Sequence, residues 1–167
     1  VDDSVLQISN VETIELTNGA GAAQAIYLDA SKMTGNGSIA FAGTSGTVKI
    51  KNLDSTTSLG LGIGTDDLSA TLNVALADET GTDDSLTLVE SSTLHEAYAV
   101  TFKSTGIETL NIQKAEATTG GEISSLTFGD NAPSKIVVTK GNASDTIALN
   151  TLNKTTTEVD AGGNKAK

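Results

Sequence analysis

Apolar and polar residues alternate one for one in short runs along this chain, and a period of two confines each run to an extended strand. The alternation is clean in Thr47-Val48-Lys49-Ile50-Lys51 and from Ser69 to Leu76. It recurs in Ser85-Leu86-Thr87-Leu88, Ala99-Val100-Thr101-Phe102, Thr109-Leu110-Asn111-Ile112 and Leu126-Thr127-Phe128. Lys135 to Thr139 and Thr146 to Leu149 follow the same rule, and Val11 to Leu16 follows it in part. Gly, Asn, Asp and Ser bound the runs, as at Asn18-Gly19, Gly43-Thr44-Ser45-Gly46, Thr80-Gly81 and Gly141-Asn142. These residues tolerate positive φ or hydrogen-bond their own backbone, so they turn the chain. Two stretches depart from the pattern. Glu90 to Tyr98 lacks alternation and admits a short helical turn, and Asp29 to Met33 reads as a one-turn helix or a polar corner. The fold class is all-β: a parallel β-solenoid or β-roll of short strands with Gly, Asp and Asn turns. An antiparallel β-sandwich is the alternative that the same strand spacing permits.

Composition points to the coil. Only 3% of the 167 residues are aromatic (Phe41, Phe102, Phe128, Tyr27 and Tyr98), Trp is absent, and Gly, Ala, Ser and Thr dominate. Small side chains do not fill a wide core to native density. They suit the narrow interior of stacked strands, where each layer touches only the next. The formal net charge is −11 and all ten basic residues are Lys. Little in such a chain neutralises a run of phosphates, so nucleic acid is not an expected partner. An acidic, Thr-rich surface suits a soluble extracellular protein, and also one that meets a divalent cation. There is no Cys, so disulfides do not hold the chain together. No apolar run approaches the ~20 residues of a membrane span. The opening VDDSVLQISNVET shows no signal peptide and, like the closing EVDAGGNKAK, reads as mid-chain, so a fragment of a longer chain is expected.

Internal echoes add organisation. Val11-Glu12-Thr13-Ile14-Glu15-Leu16 returns as Ile107-Glu108-Thr109-Leu110-Asn111-Ile112, which divides the chain into a β repeat unit over 1–106 and a second, partial unit over 107–167. Gly64-Thr65-Asp66-Asp67 returns as Gly81-Thr82-Asp83-Asp84. If that spacing is one coil of chain, the two acidic turns stack and their four carboxylates repel unless a cation lies between them. The candidate ligands are Asp66, Asp67, Asp78, Asp83 and Asp84, with Asp130 and Asp145 in further Gly- and Asn-rich turns. Calcium is the one cofactor this reading admits. Asp is also simply a good turn residue, which would account for the same positions without a metal.

At these residues the chain resembles bacterial surface-layer (S-layer) proteins and the related RTX-type secreted repeat proteins. The resemblance lies in the two V/I-E-T-I/L-x-L/I strands, in the Leu28-Asp29-Ala30-Ser31-Lys32-Met33-Thr34-Gly35 turn, and in Gly141-Asn142-Ala143-Ser144-Asp145-Thr146-Ile147. The last is similar to an RTX nonapeptide, Gly-Gly-x-Gly-x-Asp-x-apolar-x, with a glycine missing before the Asp. The resemblance implies a β-solenoid, export without a cleaved signal, calcium-dependent folding and lateral assembly into a lattice.

Catalytic constellations are sparse. A Ser-His-Asp triad would need His95, the one histidine, which sits between Leu94 and Glu96 with no G-x-S-x-G elbow in the chain. Gly60-Leu61-Gly62-Ile63-Gly64 lacks the spacing and the following helix of a dinucleotide fingerprint and reads as a closely packed strand. The chain is therefore not expected to be an enzyme. Lys49, Lys51, Lys103, Lys114 and Lys135 fall on the polar phase of strands, where they guard edges or meet acidic turns of a neighbouring copy. The reading is a structural module of a self-assembling bacterial cell-surface layer or extracellular filament, calcium-stabilised, with self-association and surface polysaccharide as partners. The alternative is an adhesin repeat that binds a glycan or host surface, for which Tyr27 and Tyr98 are the available aromatics.

Overall fold

The computed structural model describes residues 8–17, 25–34, 37–42, 45–61, 69–90, 97–113, 122–128, 132–139, 146–152, 156, 158–160 and 165–166. Two long sheets run through them. The strands in chain order are β1 (Thr13–Thr17), β2 (Ile26–Asp29), β3 (Ser38–Ala42), β4 (Ser45–Leu53), β5 (Ser58–Leu61), β6 (Ser69–Leu76) and β7 (Ser85–Glu90). They continue as β8 (Ala97–Thr105), β9 (Thr109–Gln113), β10 (Glu122–Phe128), β11 (Lys135–Thr139), β12 (Leu149–Asn150) and β13 (Glu158–Asp160). Odd-numbered strands form a seven-stranded sheet and even-numbered strands a six-stranded one, each in unbroken sequence order. Every pairing is parallel. The chain thus lays one strand in each sheet per turn and climbs by one strand at every turn, which is a parallel β-solenoid and excludes the antiparallel sandwich. Two short parallel pairs, Ile8–Ser9 with Met33–Thr34 and Thr146–Ile147 with Lys165–Ala166, flank the long sheets.

Parallel stacking sets like on like. Ile14, Ile39, Leu59, Leu88, Ile112 and Val138 form one inward column of the seven-stranded sheet. Ile26, Val48, Leu72, Phe102 and Phe128 form one in the six-stranded sheet. The two Phe rings meet edge to face, 6.3 Å apart at 81°. Period-two alternation turns these residues in and their Thr, Asn and Ser neighbours out, so Leu110 and Ile112 are fully buried between half-exposed Thr109, Asn111 and Gln113. The interior is not lined mainly by small residues, as the composition suggests. Phe41, Phe102, Phe128, Leu, Ile and Val make up most of it, with Ala70 and Ser104 among the few small residues there, and most Ser and Thr take the outer faces. Each turn needs only a few inward positions, so a chain poor in large residues still supplies them all.

The coil is longer than the Gly64-to-Gly81 spacing. Register partners on adjacent turns of the two long sheets lie between 20 and 30 residues apart, and the two Gly-Thr-Asp-Asp motifs flank β6 alone, one strand and not one turn. The Val11 and Ile107 echoes do share a sheet. Register carries Ile14 through Ile39, Leu59 and Leu88 to Ile112, two residues past the Leu110 that the sequence echo aligns with it. The 106/107 boundary falls between β8 and β9, and both sheets run on across it.

Candidate functional site

Two surfaces gather chemistry-bearing side chains. The first is the corner where each even strand hands over to the next odd one. Three of these handovers carry the same device. Asp29 Oδ1 accepts from the Ser31 amide at 3.0 Å and so caps a 3-10 turn over Ala30–Lys32, the helical alternative for that segment. One turn on, Asp54 Oδ1 accepts from the Thr56 amide at 2.8 Å and the Thr56 hydroxyl at 2.7 Å. A further turn on, Asp78 Oδ1 accepts the same pair from Thr80 at 3.0 and 2.7 Å. These donors favour the ionised carboxylate. The Thr56 hydroxyl and amide hold Asp54 below its ordinary range, and Thr80 does the same to Asp78. Asp29 is held furthest down, first by Lys51, whose ammonium lies 2.8 Å from Oδ2, then by Asn52 and Ser31. An Asp-x-Ser/Thr triplet recurring once per coil is the sequence signal for this ladder.

Of the predicted calcium ligands, Asp78, Asp83 and Asp84 belong to this corner; Asp66, Asp67, Asp130 and Asp145 lie outside the described residues, as does His95. Asp78 and Asp84 line a cavity of about 200 Å³ with Asp54, Leu53, Ser55, Leu76 and Ala77. The Asp84 amide donates to Glu108 Oε2 at 2.9 Å, while Asp84 Oδ2 is buried without a hydrogen-bond partner. That carboxylate occupies the space a Cβ would need at Gly81, so a side chain there would displace it. Asp83 is exposed and does not line the cavity. Among the described residues no group of three His, Cys, Asp or Glu side chains is arranged to hold a metal ion.

The second surface is the outer face of the six-stranded sheet. Parallel register places Tyr27, Lys49, Asn73 and Lys103 in one outward column. Asp29, Lys51, Ala75 and Thr105 stand beside it, and Thr47, Thr71, Thr101 and Thr127 form the column on its other side. Low side chains at Asn73 and Ala75, between taller neighbours, leave an open groove of about 410 Å³. A bulge shapes one wall: Lys51 and Asn52 together oppose Ala75, because register steps from Ile50–Val74 to Leu53–Leu76. Asn52 takes the left-handed conformation, φ 56°, and its Nδ2 donates to Asp29 Oδ1 at 2.8 Å. Bulges of this kind re-aim side chains, and here one ties Lys51 to Asp29 at the groove edge. Lys49 Nζ lies 5.3 Å from the centre of the Tyr27 ring, which is 62% exposed. Lys103 is exposed and makes no ion pair among the described residues. Alternation places each lysine on the outer face, but only the coil length reveals that Tyr27, Lys49 and Lys103 share a column.

Comparison with protein-family models, curated proteins and solved structures finds no match. Among the described residues no helix is long and apolar enough to cross a membrane. The class the geometry defines is a two-sheet parallel β-solenoid.

Proposed function

We propose that this chain is a structural module of a self-assembling bacterial cell-surface layer or extracellular filament, in keeping with the resemblance of its strands and turns to surface-layer and RTX-type secreted proteins. The observation that carries the reading is the unbroken parallel stack of turns around a single-file core. Such a stack is an elongated body whose every turn repeats the same outward columns, so lateral contacts made once are repeated along its length. Cross-turn clamps stiffen it: Lys135 pairs with Glu158 at 2.8 Å, and the Ser38, Ser58 and Ser134 hydroxyls donate to carbonyls of the preceding turn. Calcium belongs to the proposal as what that resemblance implies, and its place would be the acidic corner, where Asp54, Asp78 and the buried, unpartnered Asp84 oxygen line one cavity. Sedimentation velocity with added calcium and then with a chelator tests it. Reversible growth of large species with calcium supports the reading, and one small species in both conditions contradicts it.

A second reading, an adhesin repeat, draws on a different observation: the groove that sets an exposed Tyr beside lysines on a chain of net charge −11. In that reading the module grips a glycan, not a second copy.

A further inference from the structure

The outer groove of the six-stranded sheet gathers Lys49 and Lys103, with Lys51 at its edge held by Asp29, on a chain whose net charge is −11. A cluster of one sign against a background of the other focuses potential locally and selects ligands of the background's sign. The remaining features select among anions. Strands lie roughly 4.8 Å apart, so Lys49 and Lys103, two strands apart in one column, rise from backbone positions roughly 10 Å apart along the solenoid axis, with the Lys49 ammonium drawn over the Tyr27 ring. An extended ligand with regularly repeated negative charge matches that spacing, and a compact phosphate does not. The exposed face of Tyr27, at one end of the same column, offers a ring for stacking. The threonine column alongside lines a further groove with hydroxyls, and hydroxyls both donate and accept, which suits a ligand rich in hydroxyl groups. Ammonium, aromatic face and hydroxyl ladder together describe the complement of an acidic sugar chain.

We infer that this groove binds an acidic polysaccharide, a polymer of uronic acid units, lying along the solenoid axis with its carboxylates on Lys49 and Lys103 and one sugar face on Tyr27. The inference deepens the adhesin reading and gives it a ligand class. The probe is polygalacturonate, compared with the same polymer fully methyl-esterified and with polyaspartate, each titrated calorimetrically into the chain in chelator so that calcium bridges nothing. Polygalacturonate binds, and the affinity falls as salt rises toward physiological strength, where the screening length is about 8 Å. Lys49→Glu with Lys103→Glu weakens binding by about tenfold or more, as expected for loss of charge-assisted hydrogen bonds. Tyr27→Ala weakens polygalacturonate but leaves polyaspartate unchanged. All three side chains are exposed, so the variants keep the wild-type circular dichroism.

Each contrary outcome overturns the proposal distinctly. Equal binding of the esterified polymer makes the groove a neutral-glycan site, leaving the adhesin reading standing. Equal binding by the charge-reversed variant places the ligand elsewhere. Indifference to Tyr27→Ala reduces the site to a cation patch. If no polymer binds while Lys103→Glu changes the sedimentation of the chain alone, the groove belongs to a second copy and the adhesin reading falls as well.

Discussion

Gly106 shows how tightly the turns are laid on one another. Its φ is +71°, and a Cβ built there would come within 2.7 Å of the Glu79 Cα on the preceding turn. Gly106→Ala therefore adds a left-handed Cβ penalty and a backbone clash, and costs about 2–5 kcal/mol when the two effects combine. Urea unfolding measures the loss; an unchanged midpoint contradicts the close approach. The acidic corner makes a prediction about pH. Asp29, Asp54 and Asp78 all have folded-state pKa values below their ordinary ones. Their contribution to stability is complete above the unfolded value of about 3.9 and is lost as pH falls through the lower folded values. The chain is thus expected to lose stability on acidification below about pH 4. An Asp54→Asn, Asp78→Asn double variant keeps an acceptor oxygen at each turn but removes the charge. Its urea midpoint should fall less steeply over the same range, and identical slopes would contradict the assignment.

Among the elements, the strands were the most legible part of the sequence. The runs with clean alternation are strands, except that Thr146–Leu149 is broken at Ala148 into two short strands of different sheets, because a half-buried strand requires that alternation and little else. The inward-facing Leu and Ile of β9 and the Thr and Asn between them follow directly from it. β2, β3 and β5 carry weaker signals: Ile26-Tyr27-Leu28 is apolar throughout, Ile39-Ala40-Phe41 lacks polar partners, and Gly60 interrupts Leu59 and Leu61. They form because the strands beside them in the sheet pair with them, β4 alone in the case of the end strand β2, which is tertiary context. The same limit applies to the groove. Tyr27, Lys49 and Lys103 become neighbours only through coil length, and the turns vary in length. The Gly-Thr-Asp-Asp echo suggested too short a coil, while the Asp-x-Ser/Thr triplets at 29, 54 and 78 repeat at the true one. The core is testable at this scale. Phe102 is 1% exposed and packs edge to face on Phe128 of the next turn. Phe102→Ala should cost about 3–5 kcal/mol, and Phe102→Leu much less. Equal, small losses from both would mean the column is not close-packed.

For the whole molecule, the decisive property is that the stack is a repeating body and not a closed one. Each turn rests only on its neighbours, so stability accumulates turn by turn and the surface is a set of columns parallel to the axis. One face carries cations and hydroxyls, and the handover corner carries carboxylates. A body so divided can meet a lattice neighbour at one edge and a wall polymer on another face, which joins the two functional readings in one molecule. Electron microscopy of the purified protein, with calcium and then with a chelator, tests the assembly claim most directly. Ordered sheets or fibres in calcium that dissolve on chelation are the expected result. Monodisperse particles in both conditions would contradict it and leave the polysaccharide groove as the sole basis for function.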